Sequence, residues 1–145
     1  MASSLPYGYR YGNQIIISLP LDADAAAITD AIAITRTDAT ATYFKEVDAA
    51  GEEVMGWSVS AVASPSADGG LSVLTDVSTQ SVYEFPPDAG TVTRALVGKT
   101  ADIGADGQSV NIDASSVDDL LIVDVDLVAN TCFVSKAASK SVGVA

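Results

Sequence analysis

Aspartate is the residue type through which this 145-residue chain could do acid–base chemistry, since it has fifteen Asp and four Glu but no His and one Cys, Cys132. The absence of His excludes Ser-His-Asp and Cys-His catalysis and His-ligated metals, and a single Cys excludes a disulfide within the chain. Closely spaced carboxylates remain as candidates for paired acid–base work: Asp22 with Asp24, Asp118 with Asp119, and Asp124 with Asp126.

These carboxylate pairs are a weak signal for an enzyme. Fifteen Asp in 145 residues give pairs at such spacings by chance, and a glycosidase also needs aromatic walls around two carboxylates held about 5–9 Å apart. Aromatic residues make up only 6% of the chain. The sequence therefore predicts a protein without catalytic residues and without a cofactor.

A calcium site is the stronger chemical hypothesis, because hard cations take oxygen ligands and Asp-rich loops supply them. The candidate ligands are Asp102, Asp106 and Asp113, which surround a Gly-bearing turn at residues 104–107. The segment lacks the twelve-residue calcium-loop pattern and its closing Glu. An Asp-Gly turn between two strands is therefore favoured, and no metal is predicted.

Net charge and hydropathy limit the class of partner. Seven basic and 19 acidic side chains give a net charge of −12, whereas nucleic-acid affinity comes mainly from Lys and Arg, so no nucleic-acid binding is expected. Apolar runs are far shorter than the about twenty residues of a membrane-spanning helix, so no membrane insertion is expected. The amino terminus shows neither the basic nor the apolar region of a signal peptide, and synthesis in the cytoplasm is expected.

Short runs of β-branched and aromatic residues, bounded by Asp, Gly, Pro and Ser, recur from residue 14 onward. This pattern predicts an all-β fold, an antiparallel β-sandwich or barrel of about ten short strands over residues 14–136. Trp57 alternates with Met55 and Val59 on one face of a predicted strand, and it is interpreted as a core or interface anchor. Residues 137–145 are predicted to be a tail.

Several local expectations follow from the same pattern. Residues 28–42 alternate as a strand, with a short helix over residues 25–33 as the alternative. Residues 39–47 and 54–63 are expected to form a hairpin, and residues 91–97 a strand. In the strand at 120–127, the odd-numbered side chains are expected to form the apolar core face: Leu121, Val123, Val125 and Leu127.

The segment FPPDAG at residues 85–90 interrupts the strand pattern most strongly. Proline cannot donate to a β-ladder, and two consecutive prolines end strand pairing. The segment is either a hinge between a larger amino-terminal sheet and a smaller carboxy-terminal sheet, or a long crossover within one sandwich.

Residues 1–13 are predicted to form an extended arm that contacts a partner. Tyr7, Tyr9 and Tyr11 occupy alternate positions around Arg10, and in an extended segment they would share one face. Tyr and Arg are enriched where binding energy concentrates. The arm either folds back over its own sheet or docks on a neighbouring subunit through these four residues.

Three segments resemble those of the small, Ala-, Thr-, Val- and Asp-rich β proteins that decorate or cement tailed-phage capsids. They are the extended start SSLPYGYRYG at residues 3–12, the expected hairpin within residues 35–62, and a closing block that begins VGKTADIGADGQSV at residue 97 and continues to residue 134. The resemblance is one of size, composition and organisation over most of the chain.

The resemblance implies a non-catalytic structural protein of the virion, bound to the outside of an assembled capsid and bridging neighbouring copies of the major capsid protein. It also implies a homo-oligomer, with a trimer favoured. Two alternatives remain open at this point: another β-rich assembly protein such as a head fibre or tail component, and a small-ligand or calcium-binding β module.

Overall fold

The computed structural model describes residues 7–37, 42–114, 117 and 119–137. Within these ranges the chain is all-β, with eleven strands and one short 3-10 helix at Arg94–Leu96, which confirms the predicted fold class. The strands are β1 (Gly8–Tyr11), β2 (Ile16–Pro20), β3 (Ala33–Arg36), β4 (Phe44–Glu46), β5 (Gly56–Ser58), β6 (Ser72–Asp76), β7 (Val82–Phe85), β8 (Thr100–Ile103), β9 (Val110–Asn111), β10 (Leu120–Asp126) and β11 (Thr131–Lys136).

The strands form two antiparallel sheets that pack as a sandwich. The six-stranded sheet has the order β1-β7-β11-β10-β8-β9, and the five-stranded sheet has the order β2-β6-β5-β3-β4. Leu21, which follows β2, forms a parallel bridge with Phe44 of β4. The five-stranded sheet therefore curls until its two marginal strands meet at one end.

An aromatic stack joins the two sheets at the centre of the sandwich. Trp57 comes from β5 of one sheet, and Tyr83 and Phe85 come from β7 of the other. The Trp57 and Tyr83 rings stack with centroids 4.5 Å apart, and Phe85 lies 6.1 Å from each of them. Trp57 is fully buried, so the structure places it in the core.

The Pro-rich segment at residues 85–90 lies within one sandwich. β7, which it follows, pairs with β11, which comes more than 40 residues later in the chain. Strands from both sides of the segment thus share the six-stranded sheet and one hydrophobic core. A division into an amino-terminal and a carboxy-terminal sheet at this point does not describe the fold. The segment is a connection between β7 and the 3-10 helix.

Residues 25–37 contain a strand much shorter than predicted. β3 covers only Ala33–Arg36, and Ile28 makes an isolated bridge to Val62. Ala31, between them, has φ of 60°, a left-handed conformation that breaks both a strand and a helix. The alternative helix over residues 25–33 does not form, and residues 38–41 lie outside the described ranges.

The expected hairpin of residues 39–47 with 54–63 is wrong. β3 lies between β4 and β5 in the sheet and pairs with both. The loop at residues 48–53 therefore crosses over β3 instead of making a tight turn. Its conformation is held by the Glu52 carboxylate, which accepts the main-chain N–H groups of Asp48 and Ala49 at 2.9 Å each.

Two further expectations are wrong for local reasons. Residues 91–97 contain the 3-10 helix instead of a strand, and Val92 N–H donates to the Asn130 side chain instead of to a ladder. In β10 the register shifts between Ile122 and Asp124, and such a bulge transfers later side chains to the other face. The buried residues are consequently Leu120, Ile122 and Val125.

Candidate functional site

The described part of the arm folds back onto its own sheet as β1. β1 pairs antiparallel with β7, with Tyr9 opposite Tyr83. The Tyr9 ring packs edge-on against Tyr83 with centroids 5.7 Å apart. Arg10 Nε donates to Glu84 Oε1 at 2.8 Å, in an ion pair whose two side chains are mostly buried. Tyr9 and Arg10 therefore anchor this segment within the chain, and residues 1–6 of the predicted arm lie outside the described ranges.

The other two arm tyrosines are exposed. The β1–β7 register shifts between Tyr9 and Tyr11, so the three Tyr do not share one face as strict alternation would require. Tyr7 is 41% exposed and Tyr11 is 54% exposed. Of the four predicted contact residues, Tyr7 and Tyr11 are available to a partner and Tyr9 and Arg10 hold the strand that carries them.

An aliphatic surface that sequence reasoning missed adjoins these tyrosines. Ile15, Ile16 and Ile17 are 58%, 48% and 42% exposed. The sequence contained a signal for this surface, because three consecutive Ile cannot all point into the core from one strand. Leu71 and Leu74, next to this strand in the fold, are exposed as well.

β1 and β2 together form one uncharged side of an acidic molecule. They are consecutive strands, joined by residues 12–15, and each lies at the margin of its sheet. The first 21 residues contain no Asp or Glu, and the single described charge among them, on Arg10, is balanced by Glu84. We call residues 7–19 the β1–β2 flank.

Two of the three candidate calcium ligands have carboxylates that accept local hydrogen bonds. Asp102 is buried, and its Oδ1 accepts the Val117 N–H at 2.8 Å. Asp106 Oδ1 accepts the Gln108 N–H and the Ser109 hydroxyl, which is the hydrogen-bonding pattern of a turn. Asp113 is exposed, and its N–H donates to the Asn111 side chain. In the ranges that the structure describes, no three His, Cys, Asp or Glu side chains converge as metal ligands.

The candidate acid–base pairs also have local partners. Asp22 Oδ1 accepts the Asp24 N–H, and Asp126 Oδ1 accepts the Val128 and Ala129 N–H groups, as turn residues do. Asp124 accepts from the exposed Arg94 at 3.5 Å. Asp118 lies outside the described ranges, and Asp119 is buried beneath the sheet.

Three ionisable groups with shifted pKa values, Lys136, Cys132 and Tyr83, lie inside the sandwich. Burial lowers the pKa of Lys136, and the negative charges of Asp119, Asp76 and Glu53 partly oppose this effect. Lys136 Nζ donates to the Met55 carbonyl at 3.0 Å. Burial also raises the pKa of the Cys132 thiol to about 11, and burial and Asp76 raise that of Tyr83. These groups are structural, because each is enclosed by the core.

Comparisons with known proteins add no relative to this description. No family model, curated protein sequence or solved structure matches the chain. Of the described segments, none is a helix with the length and apolar character needed to cross a membrane.

Proposed function

We propose that this protein is a non-catalytic structural component of a virion that binds the outside of an assembled capsid and bridges neighbouring subunits of the major capsid protein. The observation that supports this proposal is the pair of exposed tyrosines, Tyr7 and Tyr11, on a strand fixed to the sandwich by Tyr9 and Arg10. These two side chains offer a contact surface on an ordered strand, and several of the candidate carboxylates, among them Asp22, Asp102, Asp106 and Asp126, accept main-chain N–H groups of their own loops.

Pre-ordered tyrosines suit such contacts for a physical reason. Binding is weakened by the entropy lost when mobile side chains and loops become ordered. Tyr7 and Tyr11 flank the anchored residues Tyr9 and Arg10, so the backbone between them is already fixed before a partner binds. Tyr combines a large apolar ring with a hydroxyl that can hydrogen-bond at a partly wet interface.

Mass action then stabilises the shell. A protein that binds only the assembled lattice shifts the equilibrium toward assembly, and contact with two adjacent subunits makes the second contact intramolecular. All 19 acidic side chains of the chain lie outside the β1–β2 flank. Decorated particles would therefore present negative charge to one another and repel.

Replacing both exposed tyrosines tests the proposal. We expect Tyr7→Ala/Tyr11→Ala to weaken binding to capsids by about 100-fold, because Tyr is enriched among the residues that dominate binding, and two losses of about 1.4 kcal/mol, each a tenfold effect, give this factor. Cosedimentation of purified chain with capsids stripped of it measures this affinity. Leu127→Ala/Val128→Ala, which alters exposed side chains of the β10–β11 turn, serves as the matched control and should bind as the unaltered chain does. Equal binding by the tyrosine variant would contradict the proposal.

A further inference from the structure

The four marginal strands of the two sheets differ in how they are protected against pairing with other chains. Exposed strand edges are normally short, charged, irregular or covered. β4 has three residues, two of them charged, and its Phe44 carbonyl accepts the Asp22 N–H at 2.8 Å. β9 has two residues, and Val110 bonds with Pro86 and Asp88. β1 carries Arg10 and a register shift.

Among the described residues, β2 is protected only at its carboxy-terminal end, by Pro20 and by the bridge between Leu21 and Phe44 of β4. It has five residues, IISLP, no charge and a regular register with β6 from Ile16 to Pro20. It also begins in the exposed run of Ile15, Ile16 and Ile17. A regular, uncharged and apolar edge is the type of strand that pairs with another chain.

The direction of the main-chain groups is fixed by the neighbouring hydrogen bonds. Val77 N–H donates to the Ile15 carbonyl, and Leu21 N–H donates to the Leu71 carbonyl, so odd-numbered residues face β6. Asp22 N–H, by contrast, points to the opposite side and reaches Phe44. Because antiparallel ladders alternate, the N–H and C=O groups of Ile16 and Ser18 point to the open edge.

We propose that β2 pairs antiparallel with β2 of a second copy of this chain, about a two-fold axis at Ile17. Ile16 then exchanges both main-chain hydrogen bonds with Ser18 of the partner subunit, and Ser18 does so with the partner's Ile16. The pairing ends after Ser18, because the bridge between Leu21 and Phe44 brings β4 of the same chain against this edge of β2. The two five-stranded sheets become one sheet of ten strands.

Charge and symmetry identify the occupant as a second copy. Two chains of net charge −12 repel least where each presents the β1–β2 flank, which has no acidic residue and whose Arg10 is paired with Glu84. A two-fold contact needs only one self-complementary edge, whereas a trimeric ring needs two different surfaces that fit head to tail. Among the described residues, the edge of β2 at Ile16–Ser18 is the least protected of the four, and a single such edge favours the dimer. Tyr7 and Tyr11 are not part of this pairing, and the inference stands apart from capsid binding.

Sedimentation equilibrium of the purified chain over a range of concentrations tests the inference. We expect a monomer–dimer equilibrium with a limiting mass of twice 14.8 kDa. Ile17→Lys should raise the dimer dissociation constant by at least about 100-fold, because like charges then face each other across the axis. Val97→Lys is the matched control, since Val97 is 42% exposed, as Ile17 is, and it should leave the constant unchanged.

A second pair of variants keeps the test independent of side-chain effects. Ser18→Pro removes an N–H that faces the outer edge and breaks no bond of the β2–β6 ladder, and proline is tolerated at such edge positions, so it should abolish the dimer while the monomer stays folded. Ser18→Ala should dimerise normally.

A cross-link tests the register directly. Ile17→Cys should form an intermolecular disulfide on mild oxidation, because Ile17 faces its own copy in a non-hydrogen-bonded pair, where the two Cα atoms lie about 4.5 Å apart.

The outcomes separate this inference from the proposed function. A chain that stays monomeric at all concentrations, or one that forms trimers unaffected by Ile17→Lys and Ser18→Pro, would overturn the pairing of β2. Such a chain could still bind capsids through Tyr7 and Tyr11, and the cosedimentation assay reports on that separately. Loss of capsid binding in Tyr7→Ala/Tyr11→Ala with an unchanged dimer would support both.

Discussion

Replacing Trp57 with alanine is expected to lower the free energy of unfolding by about 3–5 kcal/mol, the usual cost of removing a buried Trp. The indole is fully buried and stacks on Tyr83, so its loss opens a cavity at the point where the two sheets meet. Urea unfolding followed by far-ultraviolet circular dichroism measures the change. The slope of the unfolding free energy with urea should remain the same if only stability has changed.

Trp57→Phe is the matched control for this cavity. Phenylalanine keeps an aromatic ring against Tyr83 and removes an indole N–H that has no hydrogen-bond partner among the described residues. The cost should therefore be much smaller, about 1 kcal/mol. A Trp57→Ala variant that loses less than about 1 kcal/mol would show that the aromatic stack does not hold the two sheets together.

Replacing Asp119 with alanine is expected to cost about 3–5 kcal/mol, because a buried cation then loses part of its compensating charge. Asp119 and Lys136 are both almost completely buried. The negative charge of Asp119 opposes the effect of burial on the pKa of Lys136, and Asp119 Oδ2 also accepts the Val54 N–H at 3.0 Å. Asp119→Asn keeps the size and an acceptor for Val54, and it isolates the part of the loss that is due to charge.

A double-mutant cycle shows whether the two groups are coupled. In the background Lys136→Met the buried cation is absent, so Asp119→Ala should cost at least about 1 kcal/mol less than it does in the unaltered chain. The free energies of unfolding of the two single variants and the double variant supply the comparison. Equal costs in the two backgrounds would mean that Asp119 stabilises the fold without coupling to the charge of Lys136.

The fold class could be predicted from the sequence because it depends on local patterns. Period-two alternation and frequent turn residues are present throughout residues 14–136, and they indicate a two-layer β protein without any knowledge of strand order. Strand order could not be predicted in the same way. β3 lies between β4 and β5 because of pairings that no local pattern encodes, and the shifted register within β10 reverses which side chains are buried.

The candidate site could be predicted only in part for a similar reason. The Tyr-rich start identifies a contact segment, but the partner of Arg10 is Glu84, 74 residues further along the chain. Only the fold shows that Tyr9 and Arg10 serve as anchors while Tyr7 and Tyr11 stay exposed. The open edge at β2 depends equally on which strands end the sheets, and that information is absent from the run of three isoleucines itself.

The most direct test of the account is the position of this chain on assembled particles. Capsids of the virus that encodes this chain can be purified from infected cells and imaged by cryo-electron microscopy. We predict density for a β-sandwich of this size on the outer capsid surface, seated between neighbouring subunits with Tyr7 and Tyr11 toward the shell. Fully assembled capsids that carry no such density, with the chain recovered only as free protein, would contradict the account.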